Sequence, residues 1–138
     1  MVTDAGAWIG DFSVYAAYKE AICYAFEPTK ETFDVLCEAS KMYREGLIIP
    51  VQKGLGDEGC DWEILLNEEN SGAHSYVFQG NGSHVETIHI TTIDNFVEEN
   101  HLQRVDFIKA DIEGAERDML RGATKVLKIF APKLAICT

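Results

Sequence analysis

Apolar positions along this chain follow two periods, and the switch between them marks its elements. Short, nearly unbroken apolar runs fall at 21–26, 47–53, 105–110 and 134–137, the length of buried parallel strands. Residues 2–5 read as the end of a further strand at the start of the chain. Between the runs, apolar residues recur at helical spacing. Phe12, Val14, Tyr15 and Ala16 do so in 11–20, and Phe33, Leu36, Cys37 and Ser40 in a helix running to about 45 with Thr29 as its N-cap. Ile93, Phe96 and Val97 follow in 92–100. Met119, Leu120, Ala123, Leu127 and Phe130 share a face in 115–130, which the pattern reads as one helix with a kink at Gly122 and a stop at Pro132. Gly46 fits a helix stop, and Pro50 points to a strand position near an edge or bulge.

The order strand, helix, strand, helix, strand with short connections implies an α/β fold with a parallel sheet and right-handed crossovers. The middle differs. Residues 54–59 read as a loop, 62–66 as a strand, and the Asn-, Ser- and Gly-rich 67–82 as an exposed loop. In 85–91 Glu86, Ile88 and Ile90 alternate with Val85, Thr87, His89 and Thr91, which suits a half-buried strand. Residues 60–91 therefore read as an insertion carrying a strand pair, within one domain spanning 1–138.

Composition narrows the partners. The 138 residues suffice for one core, and 46% hydrophobic with 25% charged residues is ordinary for a soluble protein. A net charge of −11 argues against a nucleic acid or an anionic membrane as partner. No two of Cys23, Cys37, Cys60 and Cys137 stand at C-x-x-C spacing. Three lie among apolar residues and are expected to act as small core side chains in a reduced, cytoplasmic setting. No secretory signal or membrane-length apolar run is evident, and Met1 leads at once into a strand, where a natural domain normally has a few preceding residues. His74, His84, His89 and His101 are scattered, so no metal is expected. Neither a G-x-S-x-G elbow nor a P-loop occurs.

The first candidate for chemistry is Asp4-Ala5-Gly6-Ala7-Trp8-Ile9-Gly10-Asp11, a turn from a strand end into a helix. That is where ligands dock in parallel α/β sheets. Counted from Gly6, the dinucleotide fingerprint needs glycines where Trp8 and Asp11 stand. An indole and a carboxylate oppose a diphosphate, so nicotinamide dinucleotides, and an oxidoreductase using them, are disfavoured. D-x-G-x-x-x-G instead suits a ligand with a charged amino-acid end, with Asp4 accepting from an ammonium and helix amides favouring a carboxylate. The alternative is a structural turn with a capping Asp.

Glu27 ends the second strand, where an acid accepts ribose hydroxyls in nucleotide-binding folds, or else is a surface residue before Pro28. Asp57 follows the third strand within reach of an adenine amino group, although Gly-Asp is common in loops. Asp111, Glu113 and Glu116 crowd a strand-to-helix junction beside Gly114. Capping explains one or two of them. A third could serve as general base toward a hydroxyl or hold a cation.

These segments, with Thr92-Ile93-Asp94-Asn95-Phe96, the run Val105-Asp106-Phe107-Ile108-Lys109-Ala110-Asp111-Ile112-Glu113-Gly114-Ala115-Glu116, and Leu120-Arg121-Gly122-Ala123, resemble the FkbM-type S-adenosylmethionine-dependent methyltransferases over nearly the whole chain. The resemblance implies a Rossmann-like three-layer sandwich of the class I methyltransferase type. Its mostly parallel central sheet would stop after the fifth core strand, where such domains continue into a helix and an antiparallel strand pair. It implies S-adenosylmethionine at the strand ends. Asp4, Gly6, Ala7, Trp8 and Gly10 would lie at its methionine end, Glu27 at the ribose and Asp57 near adenine, with Asp111 and Glu113 as catalytic carboxylates. The implied reaction is O-methylation of a small metabolite or sugar. The alternative is a non-catalytic cofactor-binding module of the same fold. The expected partners are a small-molecule acceptor and a second copy of the chain over the exposed sheet edge.

Overall fold

The computed structural model describes residues 1–43, 45–65 and 85–137. Its strands are β1 (Val2–Ala5), β2 (Cys23–Phe26), β3 (Ile48–Val51), β4 (Gly54–Leu55), β5 (Cys60–Leu65), β6 (Val85–Thr91), β7 (Phe107–Ala110) and β8 (Lys133–Ile136). Its helices are α1 (Asp11–Tyr18), α2 (Lys30–Lys41), α3 (Ile93–Glu99), α4 (Glu116–Arg121) and α5 (Thr124–Phe130). Five strands form one parallel sheet in the order β3-β2-β1-β7-β8. Helices cover both faces, a Rossmann-like α/β fold.

Side-chain alternation sorts the two faces. On β1, Val2 and Asp4 point toward α1, and Ala5 points the other way. On β2, Cys23 and Ala25 join the α1/α2 side, where Ala17, Leu36 and Ile48 pack. Phe26 crosses to the opposite side and meets Phe96 edge to face at 4.8 Å. Ile108, Met119 and Val126 complete that second core with α3, α4 and α5. Fully buried side chains of this size, such as Phe26, Leu36 and Ile108, each stabilise the fold by about 1.5–3 kcal/mol.

A separate three-stranded sheet has the order β4-β6-β5. Strands β5 and β6 pair antiparallel from Cys60 opposite Ile90 to Leu65 opposite Val85. Ile88 and Ile90 are buried in it, as alternation requires. The stretch 54–59, read as a loop, contributes β4, which pairs with β6 through Gly54 and Leu55. The Ile90 side chain packs directly on the bare Gly54 backbone, its Cδ1 2.5 Å from where a Cβ would stand. The 67–82 loop, His74 and His84 lie outside the described residues.

Two further expectations change. The helix read through 115–130 is two helices. Val126 N–H donates to Asp94 Oδ1 rather than back to Gly122, and the Gly122 carbonyl accepts from Asp94 N–H at 2.9 Å. A partner on α3 thus takes both ends of the hydrogen bond that would have continued the helix. Helix α2 stops at Lys41, and Gly46, at φ +85°, serves the turn beyond. Of the cysteines, all free, Cys23 is a core side chain, Cys37 and Cys60 are half-buried and Cys137 is exposed. No helix among the described residues is long and apolar enough to cross a membrane.

Candidate functional site

The carboxyl ends of β1, β2 and β7, three adjacent strands, bring three of the four predicted segments to one edge of the sheet. They are the Asp4–Gly10 turn, Glu27, and the loop holding Asp111 and Glu113.

The turn needs its glycines. Gly6 has φ +73° and Gly10 φ +92°. A Cβ on Gly6 would lie 2.0 Å from the Asp111 carbonyl oxygen, so only glycine lets the turn pass this close to the end of β7. Gly10 is the N-cap of α1, and its N–H donates to the Ala7 carbonyl at 2.8 Å. Ala7 is buried, and its N–H donates to the Phe26 carbonyl at 2.9 Å. Trp8 holds φ +50° and is 46% exposed. A non-glycine residue kept in that region costs of order 1–3 kcal/mol, strain that clusters at ligand sites.

Asp4 lies beneath the turn, with none of its surface exposed. Its Oδ2 accepts from the Ser13 hydroxyl at 2.6 Å. Its Oδ1 has no well-aligned hydrogen-bond donor and is held by charge, with Lys109 Nζ 3.0 Å away. Burial pushes the Asp4 carboxyl above its ordinary range, against the pull of Lys109 and the Ser13 hydrogen bond. Neither Ser13 nor the orientation of Lys109 was legible beforehand. The usable signal was register, since Asp4 and Lys109 stand opposite each other on parallel strands and so share a face.

Glu27 is buried at the end of β2. One carboxylate oxygen accepts from the Thr29 N–H at 3.0 Å and from its hydroxyl at 2.6 Å. Thr29, the expected N-cap of α2, thus turns its hydroxyl back to orient Glu27. The α2 N-terminus is served from the second sheet instead, where Glu86 accepts from Lys30 N–H at 2.6 Å.

The acidic loop divides by role. Burial alone would raise the Glu116 carboxyl, but backbone N–H donors, its own and those of Ile112 and Gly114, outweigh it and hold it below the usual range. The Ile112 bond is 3.0 Å. Glu116 therefore closes the loop, while Asp111 and Glu113 are exposed on the sheet edge. Glu113 at φ +53° and Gly114 at φ +98° form the loop's left-handed bend. Asp57 is exposed on the turn after β4, next to Gly56, which packs against Gly122, and β4 itself lies against Pro28, just past Glu27. Among the described residues no group of three or more His, Cys, Asp or Glu could hold a metal ion.

The arrangement suits a cofactor with an amino-acid end and a ribose. A tight glycine turn opens onto a helix N-terminus, a buried carboxylate stands at the next strand end, and free carboxylates stand at the third.

Residues 4–137 match the methyltransferase FkbM domain. The chain is 30% identical over 126 residues to the hexuronic acid methyltransferase AglP of Haloferax volcanii, covering 91% of this chain and 50% of that protein. It is 28% identical over 142 residues to methyltransferase 1 of Beauveria bassiana, covering 88% and 57%. The chain thus spans about half the length of these two relatives. The crystal structure of methyltransferase FkbM from Methylobacillus flagellatus superposes with a TM-score of 0.69 at 22% identity, over 98% of this chain and 32% of that one, a likeness of fold. With nearly its whole length inside the domain, the chain belongs to the FkbM methyltransferase family.

Proposed function

We propose that this chain carries the cofactor site of an S-adenosylmethionine-dependent methyltransferase acting on a hydroxyl group, with a sugar hydroxyl as the acceptor class. The observation that carries the reading is the meeting of the Gly6–Gly10 turn, Glu27 and the Asp111/Glu113 loop at one sheet edge. Support for a sugar comes from the relative named for hexuronic acid. When bound, the sulfonium cofactor supplies an electrophilic methyl group. The protein's own part is mostly alignment. The Gly6–Gly10 turn, Trp8 included, and the α1 N-terminus receive the amino-acid end. Glu27, oriented by Thr29, receives ribose hydroxyls. Asp111 or Glu113 takes the proton from the acceptor oxygen as it attacks, a role worth about 10²–10⁴-fold in rate. Asp57 is the residue for the adenine end.

Calorimetry with S-adenosylmethionine and S-adenosylhomocysteine tests the site. Both should bind, and Glu27→Gln should weaken binding about tenfold, the loss of about 1.4 kcal/mol. Asp111→Asn and Glu113→Gln should leave binding within about twofold, and at least one should lower transfer to a uronic acid or neutral sugar acceptor by about 10²-fold or more. A folded protein that ignores both ligands at millimolar concentration rules the reading out. Binding without transfer to any acceptor favours the non-catalytic module.

A further inference from the structure

We propose that Lys109 is a positioning residue, whose ammonium locks the peptide between Gly6 and Ala7 and so sets the shape of the turn that receives the methyl donor. The inference rests on the methyl-donor reading of this edge.

Lysine normally keeps its ammonium in water and buries only its stem. Lys109 does the reverse. Its side chain is 14% exposed, and its Nζ turns inward under the turn. It donates to the Gly6 carbonyl at 2.8 Å and lies 3.0 Å from Asp4 Oδ1 and 6.0 Å from the centre of the Phe12 ring. One cation thus touches the end of β1, the turn and the first residues of α1, while its own backbone belongs to β7. The neighbouring Ile108 and Ala110 face the opposite core, so the strand's alternation aims Lys109 into this gap.

Stability alone does not account for it. A buried ion pair returns little net stabilisation, because desolvating both charges offsets their attraction, and an apolar pair of similar volume commonly does as well. An apolar side chain lacks a donor for the Gly6 carbonyl. That carbonyl and the Ala7 N–H belong to the same peptide plane. The N–H is already fixed to the Phe26 carbonyl at 2.9 Å, and Lys109 fixes the oxygen. The plane is held from both sides, by β2 and by β7. The turn then leaves β1 in one direction, and the helix amides of α1 meet a ligand in one orientation. Asp4 balances the cation and, through Ser13, ties α1 to the same point.

The test uses the 138-residue chain with Lys109→Met, Lys109→Arg and the double variant Asp4→Asn/Lys109→Met, which removes the unpaired buried carboxylate in case the single variant does not fold. Three quantities are read: thermal unfolding, the Kd for S-adenosylhomocysteine, and amide exchange at Ala7 compared with Ile108. In the folded double variant the Kd should rise at least tenfold and Ala7 should exchange at least tenfold faster, with Ile108 unchanged. Lys109→Arg, which keeps a donor, should recover part of both. A folded double variant with wild-type Kd and wild-type Ala7 exchange overturns the proposal. If the wild-type chain binds no cofactor, the methyl-donor reading falls and takes the ligand role with it. Exchange at Ala7 then still reports whether the clamp exists.

Discussion

The carboxylate of Asp94, in the first turn of α3, caps α5 through Val126. Its two oxygens accept from the Lys125 and Val126 N–H groups at 2.9 Å each, while its own N–H donates to the Gly122 carbonyl. The N-cap position of α5 is Ala123, which has no side-chain acceptor, so the cap comes from another helix. Gly122 is pressed against Gly56 on its far side. Thr92–Phe96 and Leu120–Ala123, two of the segments in the family resemblance, therefore meet each other. Together they form a joint between α3, α4, α5 and the turn after β4.

Removing that cap should be felt in stability and not in binding. Asp94→Ala should cost about 1–2 kcal/mol. Thermal unfolding measures it, and the Kd for S-adenosylhomocysteine should stay within about twofold. A binding loss larger than the stability loss would place Asp94 in the site instead.

Three glycines separate packing from torsion. Gly122 is helical in conformation, with φ −73°, yet a Cβ there would meet the Gly56 carbonyl oxygen at 2.0 Å and Thr92 Cβ at 3.0 Å. Gly122→Ala should therefore destabilise by about 1–3 kcal/mol through crowding alone. Gly114 has open space but φ +98°, so Gly114→Ala should cost about 1–2 kcal/mol through torsion alone. Gly6→Ala meets both obstacles and should be the worst of the three. Urea unfolding ranks them. Gly114→Ala as the most damaging would contradict the geometry.

The buried Cys23 thiol predicts alkaline sensitivity. Burial pushes it up to about 12, with the Ser13 hydrogen bond opposing. An unfolded cysteine ionises near about 8.5. Above that pH the unfolded state loses its proton while the native state keeps it. Stability should fall as pH rises from about 8.5 toward about 12, by at most about 1.4 kcal/mol per pH unit from this group. Comparing wild type with Cys23→Ala isolates it from other alkaline groups: between about pH 9 and 10.5 the variant's decline should be smaller by about 1–2 kcal/mol. Equal slopes would mean the thiol ionises freely. In native protein at pH 8, iodoacetamide should label exposed Cys137 and leave Cys23 intact.

The strand and helix order was legible because local periodicity reports which side of an element is buried. Ile88 and Ile90 show it, as do the apolar runs that became β2, β7 and β8. The turn was legible because Gly6 and Gly10 answer backbone demands that few other residues can meet. Other features depend on partners distant in sequence, which periodicity does not register. A continuous apolar stripe from 115 to 130 gave no sign that Asp94 would intercept a helical hydrogen bond. The pairing of β4 with β6 joins Gly54 and Leu55 to Ile90 and Thr91, more than thirty residues further along the chain.

The chain's own pattern was therefore enough to determine an α/β fold and to set Asp4, Glu27 and Asp111 at strand ends. Tertiary structure decided which acids are free. It put Asp4 under the turn against Lys109, engaged Glu116 with backbone amides, and left Asp111 and Glu113 open at the end of β7. The reason is physical: a carboxylate's role depends on its burial and on the donors around it, and both are set by parallel register and loop closure between segments far apart along the chain.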